Sequence, residues 1–381
     1  MNAPIRIKIC FLSIICLLKS CIEPYEPEID KYDRLLVIDG RISNFEGSGV
    51  VKLSRSFPYG KTRYEVVSGA AVFIFDEIGN EERLYEVEEG TYRADSSFKA
   101  LPGQKYKLQV KINENEVYES TMEKMQPPVS IDSLYFIYEN AAENDREGVE
   151  INVDVDNKDK ISNYYAWEYS EAWMFRVPHQ SSRIPDSRNC FTGNRSKILL
   201  LGNSSNNTGG RLKQQPIFFI SNKTNRLSIK YSVLVKQYTL TETAYDFYKN
   251  LKLISESSGT LFDPTPSAVL GNISRNDYPD QPVLGNFLVA PVYEKRLFIE
   301  KIELPVEMYV PTGFDDCQKE EVIIRSDSSH QIDVDNWLRK GYFILDTVNT
   351  PLNSFISLTS SEKCCDCKKS GSVEPPDFWI Y

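Results

Sequence analysis

The sequence predicts a mainly-β protein built of two β-sandwiches in tandem and closed by a cysteine-stapled tail, and three observations carry that prediction. Tyrosine (22) and phenylalanine (19) are abundant while methionine is scarce (5), a balance that suits half-buried pleated surfaces. Short runs of alternating apolar and polar residues recur between turn signals, at the spacing of a sandwich. Five cysteines lie beyond residue 189, three of them within positions 364–367.

The first element is not part of that body. Arg6 and Lys8 precede an apolar run at 9–18 (ICFLSIICLL), followed by Leu18-Lys19-Ser20-Cys21. A basic start, a short apolar core and a small residue at the cut site make residues 1–20 a signal peptide. The run falls well short of the roughly 20 residues that a membrane-spanning helix needs. Leu-x-Ser-Cys is the pattern of a bacterial lipoprotein, so Cys21 is expected to carry the lipid that tethers the mature chain; an ordinary secretory signal containing cysteines is the plainer reading. Residues 22–33 (IEPYEPEIDKYD) follow, with five carboxylates around Pro24 and Pro27. Proline keeps such a segment extended and like charges repel, so 21–33 reads as a lipidated cysteine on an acidic spacer.

The whole chain holds 44 basic and 54 acidic residues. Removal of Arg6, Lys8 and Lys19 with the leader leaves 44 − 3 = 41 against 54, a net charge of 41 − 54 = −13. That balance argues against nucleic acid and anionic lipid surfaces as partners, since both reward basic patches. The mature length, 381 − 20 = 361 residues, is more than one core usually serves.

Residues 34–126 read as the first sandwich. Strand signals fall at 35–38, 50–53, 71–75, 83–87, 90–93, 106–112 and 117–120, with turn signals at Asp39-Gly40, Ile78-Gly79-Asn80, Glu89-Gly90 and Pro102-Gly103. The pattern is immunoglobulin-like. The stretch 68–74 (SGAAVFI), with Gly90-Thr91-Tyr92 and Gly103-Gln104-Lys105-Tyr106, resembles the prealbumin-like repeats of carboxypeptidase regulatory domains, which implies a scaffold or adaptor without a catalytic group of its own.

A hinge at Gln126-Pro127-Pro128 opens a second β domain at 130–305, with strands at 148–155, 164–169, 216–220, 229–238 and 283–287. The polar stretches 178–195 and 202–212 read as long loops. One amphipathic helix is expected at about 242–256. Thr241 can cap it, and Glu242 meets the positive end of its dipole. Ala244, Phe247, Tyr248, Leu251 and Ile254 recur at helical spacing, a stripe suited to packing on the second sheet. The stretch around Phe262, Asp263 and Pro264, continuing to Gly271 and Asn272, reads as a rigid built loop that is structural first and a contact surface second. The extension at 306–381 ends in the cysteine cluster and an aromatic tail that is expected to dock.

An oxidising compartment favours disulfides, so Cys190 and Cys317 are expected to join the cluster of Cys364, Cys365 and Cys367. The count is odd, so at least one thiol stays free, pairs with another chain or is reactive, and the connectivity stays open. Structural zinc would want CxxC-type pairs or nearby histidines, and His179 and His330 are far away, so neither metal nor cofactor is expected.

The stretches 36–42 (LVIDGRI), 51–56 (VKLSRS), 67–70 (VSGA), 131–135 (IDSLY), Trp167-Glu168, 231–238 (YSVLVKQY), 261–264 (LFDP), 271–273 (GNI), 364–367 (CCDC) and 377–379 (DFW) together resemble domain-of-unknown-function family 4249. The resemblance implies an outer-membrane lipoprotein of Bacteroidetes type, often encoded beside a TonB-dependent receptor, and implies no catalytic residue. The acidic spacer directly after Cys21 implies a surface-facing anchor, with a periplasm-facing one as the alternative.

An enzyme would need groups this chain does not place together in sequence. Nucleophile elbow, HExxH, phosphate loop and dinucleotide glycine pattern are all missing. Asp154 with Asp156, or Asp315 with Asp316, could in principle act as a glycosidase pair, but such acids more often line a solvated edge. Calcium at Asp154, Asp156 and Asp159 would lack the central glycine and terminal Glu of an EF-hand. The expectation is therefore a non-enzymatic accessory or ligand-capture subunit of a TonB-dependent receptor. A stand-alone surface structural or adhesion protein is the alternative, and a surface hydrolase comes behind both. Candidate contacts are the two polar loops and Trp173.

Overall fold

The computed structural model describes residues 34–56, 65–141, 146–197, 199–256 and 269–380. The leader, Cys21 and the acidic spacer lie outside the described residues. The fold is mainly β, in several sheets.

Nine strands come first: β1 (Leu36–Ile42), β2 (Val50–Arg55), β3 (Glu65–Val66), β4 (Ala71–Asp76), β5 (Glu81–Glu88), β6 (Thr91–Arg93), β7 (Lys105–Asn113), β8 (Glu116–Ser120) and β9 (Glu123–Lys124). Strict alternation builds them. In β1, Leu36, Ile38 and Ile42 point inward while Asp39 and Arg41 point outward, as a sheet with one buried face requires. Their inward residues join Val51, Leu53, Val72, Ile74, Leu84, Leu108 and Val110 in one core. Tyr92 is buried there, donating its hydroxyl to the Val67 carbonyl and accepting from the Ala70 amide. Asp39-Gly40, expected as a turn, lies inside β1. Gly40 faces Phe287, Leu108 and Val51 so closely that a side chain would crowd them, so this glycine serves packing and makes no turn.

The second part contains β10 (Ile131–Ala141), β11 (Arg146–Val155), β12 (Tyr164–Arg176), β13 (Asn189–Arg195), β14 (Leu200–Asn203), β15 (Leu212–Ser221) and β16 (Lys230–Leu240), then α1 (Glu242–Glu256), β17 (Ile273–Arg275), β18 (Leu284–Val289) and β19 (Val292–Glu300). One sheet runs β10-β11-β15 and another β13-β12-β16-β19 with β14 on β12. Their shared core includes Val149, Ile151, Val153, Trp167, Tyr231, Val233, Val235 and Ile299. Inside it, Trp167 Nε1 donates to Gln237 Oε1 at 2.9 Å, and Gln237 Nε2 donates to the Val129 carbonyl at 2.8 Å. Those two bonds tie the proline hinge to the sheet. The last seven residues of the stretch expected as a loop at 178–195 are β13, an edge strand antiparallel to β12.

One placement needs correction. The strand expected at 283–287 in the second domain belongs to the first. β18 pairs in parallel with β1, Val37 opposite Leu284 and Ile42 opposite Val289, and β17 pairs with β8. Phe287 and Val289 accordingly sit in the first core. From Asn286 to Val289 every residue of β18 is buried, so the run carries no alternation to say which sheet it joins.

The helix α1 begins as expected, the Thr241 hydroxyl accepting from the Ala244 amide at 3.3 Å. Ala244, Tyr245 and Tyr248 pack with Tyr238, Leu240, Leu288 and Val292, so the helix seals the junction where β18 crosses back. Leu251, counted in its apolar stripe, is exposed. The last region is more ordered than a mixed extension: β20 (Lys319–Ile323), α2 (His330–Arg339), β21 (Phe343–Asn349) and β22 (Ser354–Thr359) form a sheet in the order β20-β22-β21, with α2 packing Val334 on Val322 and Leu358. The tail docks: Trp379 lies edge-on to Phe191 and Phe298 with ring centroids 5.0 and 5.9 Å away.

Candidate functional site

Four neighbouring strands bring their ends to one rim: the end of β12, the approach to β13, the start of β16 and the end of β19. A cleft of about 380 Å³ opens there, lined by Arg176, Val177, Pro178, Arg188, Ser228, Ile229, Lys301 and Thr312. Among the described residues three cations and no carboxylate line it, in a chain whose formal charge is −10. Its position follows from the ladder. The Val177 amide donates to the Arg188 carbonyl and the Lys301 amide to the Ile229 carbonyl, both at 3.0 Å, which sets Val177 beside Arg188 and Lys301 beside Ile229, with Arg176 opposite Asn189. Arg176 Nε is held by Asn189 Oδ1 at 2.8 Å.

The wall formed by 178–188 is sewn to the cysteine cluster. Cys190 is bonded to Cys367 and Cys317 to Cys364. The His179 amide donates to the Cys364 carbonyl, and the Cys367 amide to the Ser187 carbonyl. Ser187 Oγ donates to the Cys365 carbonyl. A loop so tied keeps its shape when solvent alone would not hold it, which is what a preformed binding surface needs. Cys365 is the free thiol among the described residues and is buried. Burial first, then Asp366 and Glu362, push it up to about 11, so it is a packed thiol and a poor nucleophile at neutral pH.

The other sequence candidates fall elsewhere. Phe262, Asp263 and Pro264 lie outside the described residues. Gly271 and Asn272 are structural. A Cβ at Gly271 would run into the Gly285 carbonyl, and the Asn272 side chain bonds both backbone groups of Phe287. Asp154 is taken by Lys213 at 2.8 Å, and Asp156 by Arg211 at 3.0 Å and Lys158 at 3.3 Å. Asp316 is paired with Lys363. Each histidine is bonded to backbone, His179 Nε2 to the Cys317 carbonyl and His330 Nδ1 to the Arg325 amide. Trp173 borders the second core, with Arg226 over its ring at 5.7 Å. Among the described residues no three metal-ligating side chains gather.

Of the sequence candidates, only the loop at 178–195 contributes to the cleft, through Pro178 and Arg188. Lys301 and Ile229 carried no signal of their own, because nothing in sequence brings positions 176, 188, 229 and 301 to one rim.

No curated protein matches the chain. A family model described as "Domain of unknown function (DUF4249)" matches residues 22–296, ending inside β19. With 275 of 381 residues covered by that match (296 − 22 + 1 = 275), the chain belongs to the DUF4249 family.

Proposed function

We propose that this protein is a non-enzymatic, lipid-anchored outer-membrane protein of Bacteroidetes type that serves a TonB-dependent receptor as its accessory or ligand-capture subunit. The observation that carries the binding role is the basic cleft. Its lining combines Arg176, Arg188 and Lys301 with the apolar Val177, Pro178 and Ile229, a composition suited to an anionic group on an apolar body. Nothing that lines it is a base beside a nucleophile, which favours capture over turnover. The anchor is supported by the leader and Cys21, and a surface-facing address by the acidic spacer at 22–33.

The test is co-purification. Membranes from cells carrying an affinity tag after Tyr381 are solubilised gently, and the eluate is identified by mass spectrometry. A TonB-dependent receptor in stoichiometric amount is the expected result. Recovery of the protein alone, under conditions that preserve a known receptor complex, overturns the accessory role.

A further inference from the structure

The segment that links Lys301 to Thr312 leaves the rim of the basic cleft and returns to it, since both residues line that cleft. Its buried and exposed side chains divide sharply. Leu304, Met308 and Val310 are pegged in the second core. Ile302 before them, and Val306 and Tyr309 among them, stand 89%, 101% and 69% exposed. A reciprocal cap holds the start, the Glu300 amide donating to Glu303 Oε2 and the Glu300 side chain accepting in return. Single exposed apolar residues are ordinary, but three large ones displayed within eight positions of a pegged loop are not.

We infer that this loop is a docking surface for another protein, one that offers an apolar recess to Ile302, Val306 and Tyr309 and a carboxylate to the cleft beside them. Charge complementarity selects that partner. Among the described residues the cleft holds three cations without an acidic residue in its lining, and a partner carboxylate would meet Arg188 and Lys301 as the apolar side chains enter their recess. Tyr309 has the amphipathic, rigid side chain that interface centres favour. A bilayer fits less well, because Glu303 and Glu307 interleave with the apolar residues and would face anionic headgroups. The inference rests on the accessory role only for the partner's identity; the surface stands on the loop itself.

The test is a photo-crosslinking residue at Val306, whose full exposure makes its replacement harmless to the fold, with the same probe at exposed Ile78 in the first part as control. The full-length anchored protein is irradiated in its own cells. The expected result is an adduct with one protein from position 306 and none from 78, reduced at least tenfold by Ile302→Ser with Tyr309→Ser and by Arg188→Glu with Lys301→Glu. Melting temperatures of the purified variants within a degree or two of the parent show that the loss is local. An adduct with lipid, an adduct with a second copy of this chain, or an adduct indifferent to the charge reversals overturns the inference. An adduct that meets every criterion but is not a TonB-dependent receptor upholds the surface and overturns only the receptor as its occupant; the accessory role then stands or falls on the co-purification.

Discussion

Asn272 holds Phe287 by both of its backbone groups: the Phe287 amide donates to Asn272 Oδ1 at 2.8 Å, and Asn272 Nδ2 donates to the Phe287 carbonyl at 2.9 Å. The side chain thus acts as one rung of a strand ladder and pins the approach to β17 against β18. Asn272→Asp keeps the shape, but it removes the donor and sets a charge against a carbonyl. A loss of about 2–3 kcal/mol is expected from equilibrium unfolding in urea, since a half-buried carbonyl is left without its partner. Asn272→Gln, too long for the same geometry, should cost no less than about 1 kcal/mol.

Gly285 is the other constraint on that crossing. Its φ is +94°, and a Cβ would run into the Ile38 carbonyl across the parallel pair. Gly285→Ala should therefore destabilise by at least about 2 kcal/mol. Gly79→Ala is the control: its φ of +92° has open space around it, so it should cost only the smaller backbone strain of about 1 kcal/mol.

The two disulfides close long loops, 177 residues for Cys190–Cys367 and 47 for Cys317–Cys364. Replacing either pair by serine should cost about 2–5 kcal/mol. Loss of Cys190–Cys367 should also loosen the cleft wall, read as faster hydrogen exchange in the 178–188 amides.

Cys365 should be silent to thiol reagents in the folded protein. With its pKa pushed up to about 11, the thiolate fraction at pH 8 is on the order of a hundredfold below that of a free cysteine. In a body that begins after Cys21, with both disulfides intact, one thiol should titrate with Ellman's reagent in guanidinium and none, over the same minutes, in buffer. A fast native reaction would contradict the burial described above.

Asp154 should make the protein acid-sensitive. Burial alone would raise its carboxyl, but the hydrogen bond from Lys213, the Gln214 amide and the Tyr135 hydroxyl outweigh it and hold the group below the usual carboxylate range. A depressed folded pKa contributes stability above the unfolded value near 3.9, and that contribution vanishes as pH falls through the folded one. Asp154→Asn should therefore be less stable than the parent at pH 7. Melts at pH 7, 4 and 3 should show that gap narrowing as pH falls.

Much of the first part was legible because β1, β2, β4 and β7 alternate cleanly, and period 2 fixes which face of a strand is buried. It does not fix a strand's neighbour. The run at 284–289 is readable as a strand but not as the parallel partner of Leu36–Ile42, since that choice is made by tertiary packing. The helix at 242–256 was visible through its cap and stripe. α2 was not: among its ten residues, HQIDVDNWLR, Val334 is the buried one, so almost no periodic signal marks it. β19 escaped because Tyr293 to Arg296 interrupt its apolar run with charge. Lys236–Glu294 and the bond from Arg296 to Ser232 absorb those groups. The cleft was legible only at Arg188 and Pro178; its other walls include Ser228 and Ile229, some forty residues further on, and Lys301 and Thr312, more than a hundred.

The return of β18 to β1 has a consequence for how the polypeptide is made. A chain emerging from its N-terminus completes β1 about 240 residues before the strand that covers its open edge. At about 5–20 residues per second that is a wait of roughly ten to fifty seconds. Throughout it, the outer edge of β1 is an unpaired template with Leu36, Ile38 and Ile42 beneath it, the kind of edge that recruits foreign strands. The nascent protein therefore depends on being shielded until residue 289 has appeared, and a fragment ending at the proline hinge would inherit that sticky edge permanently.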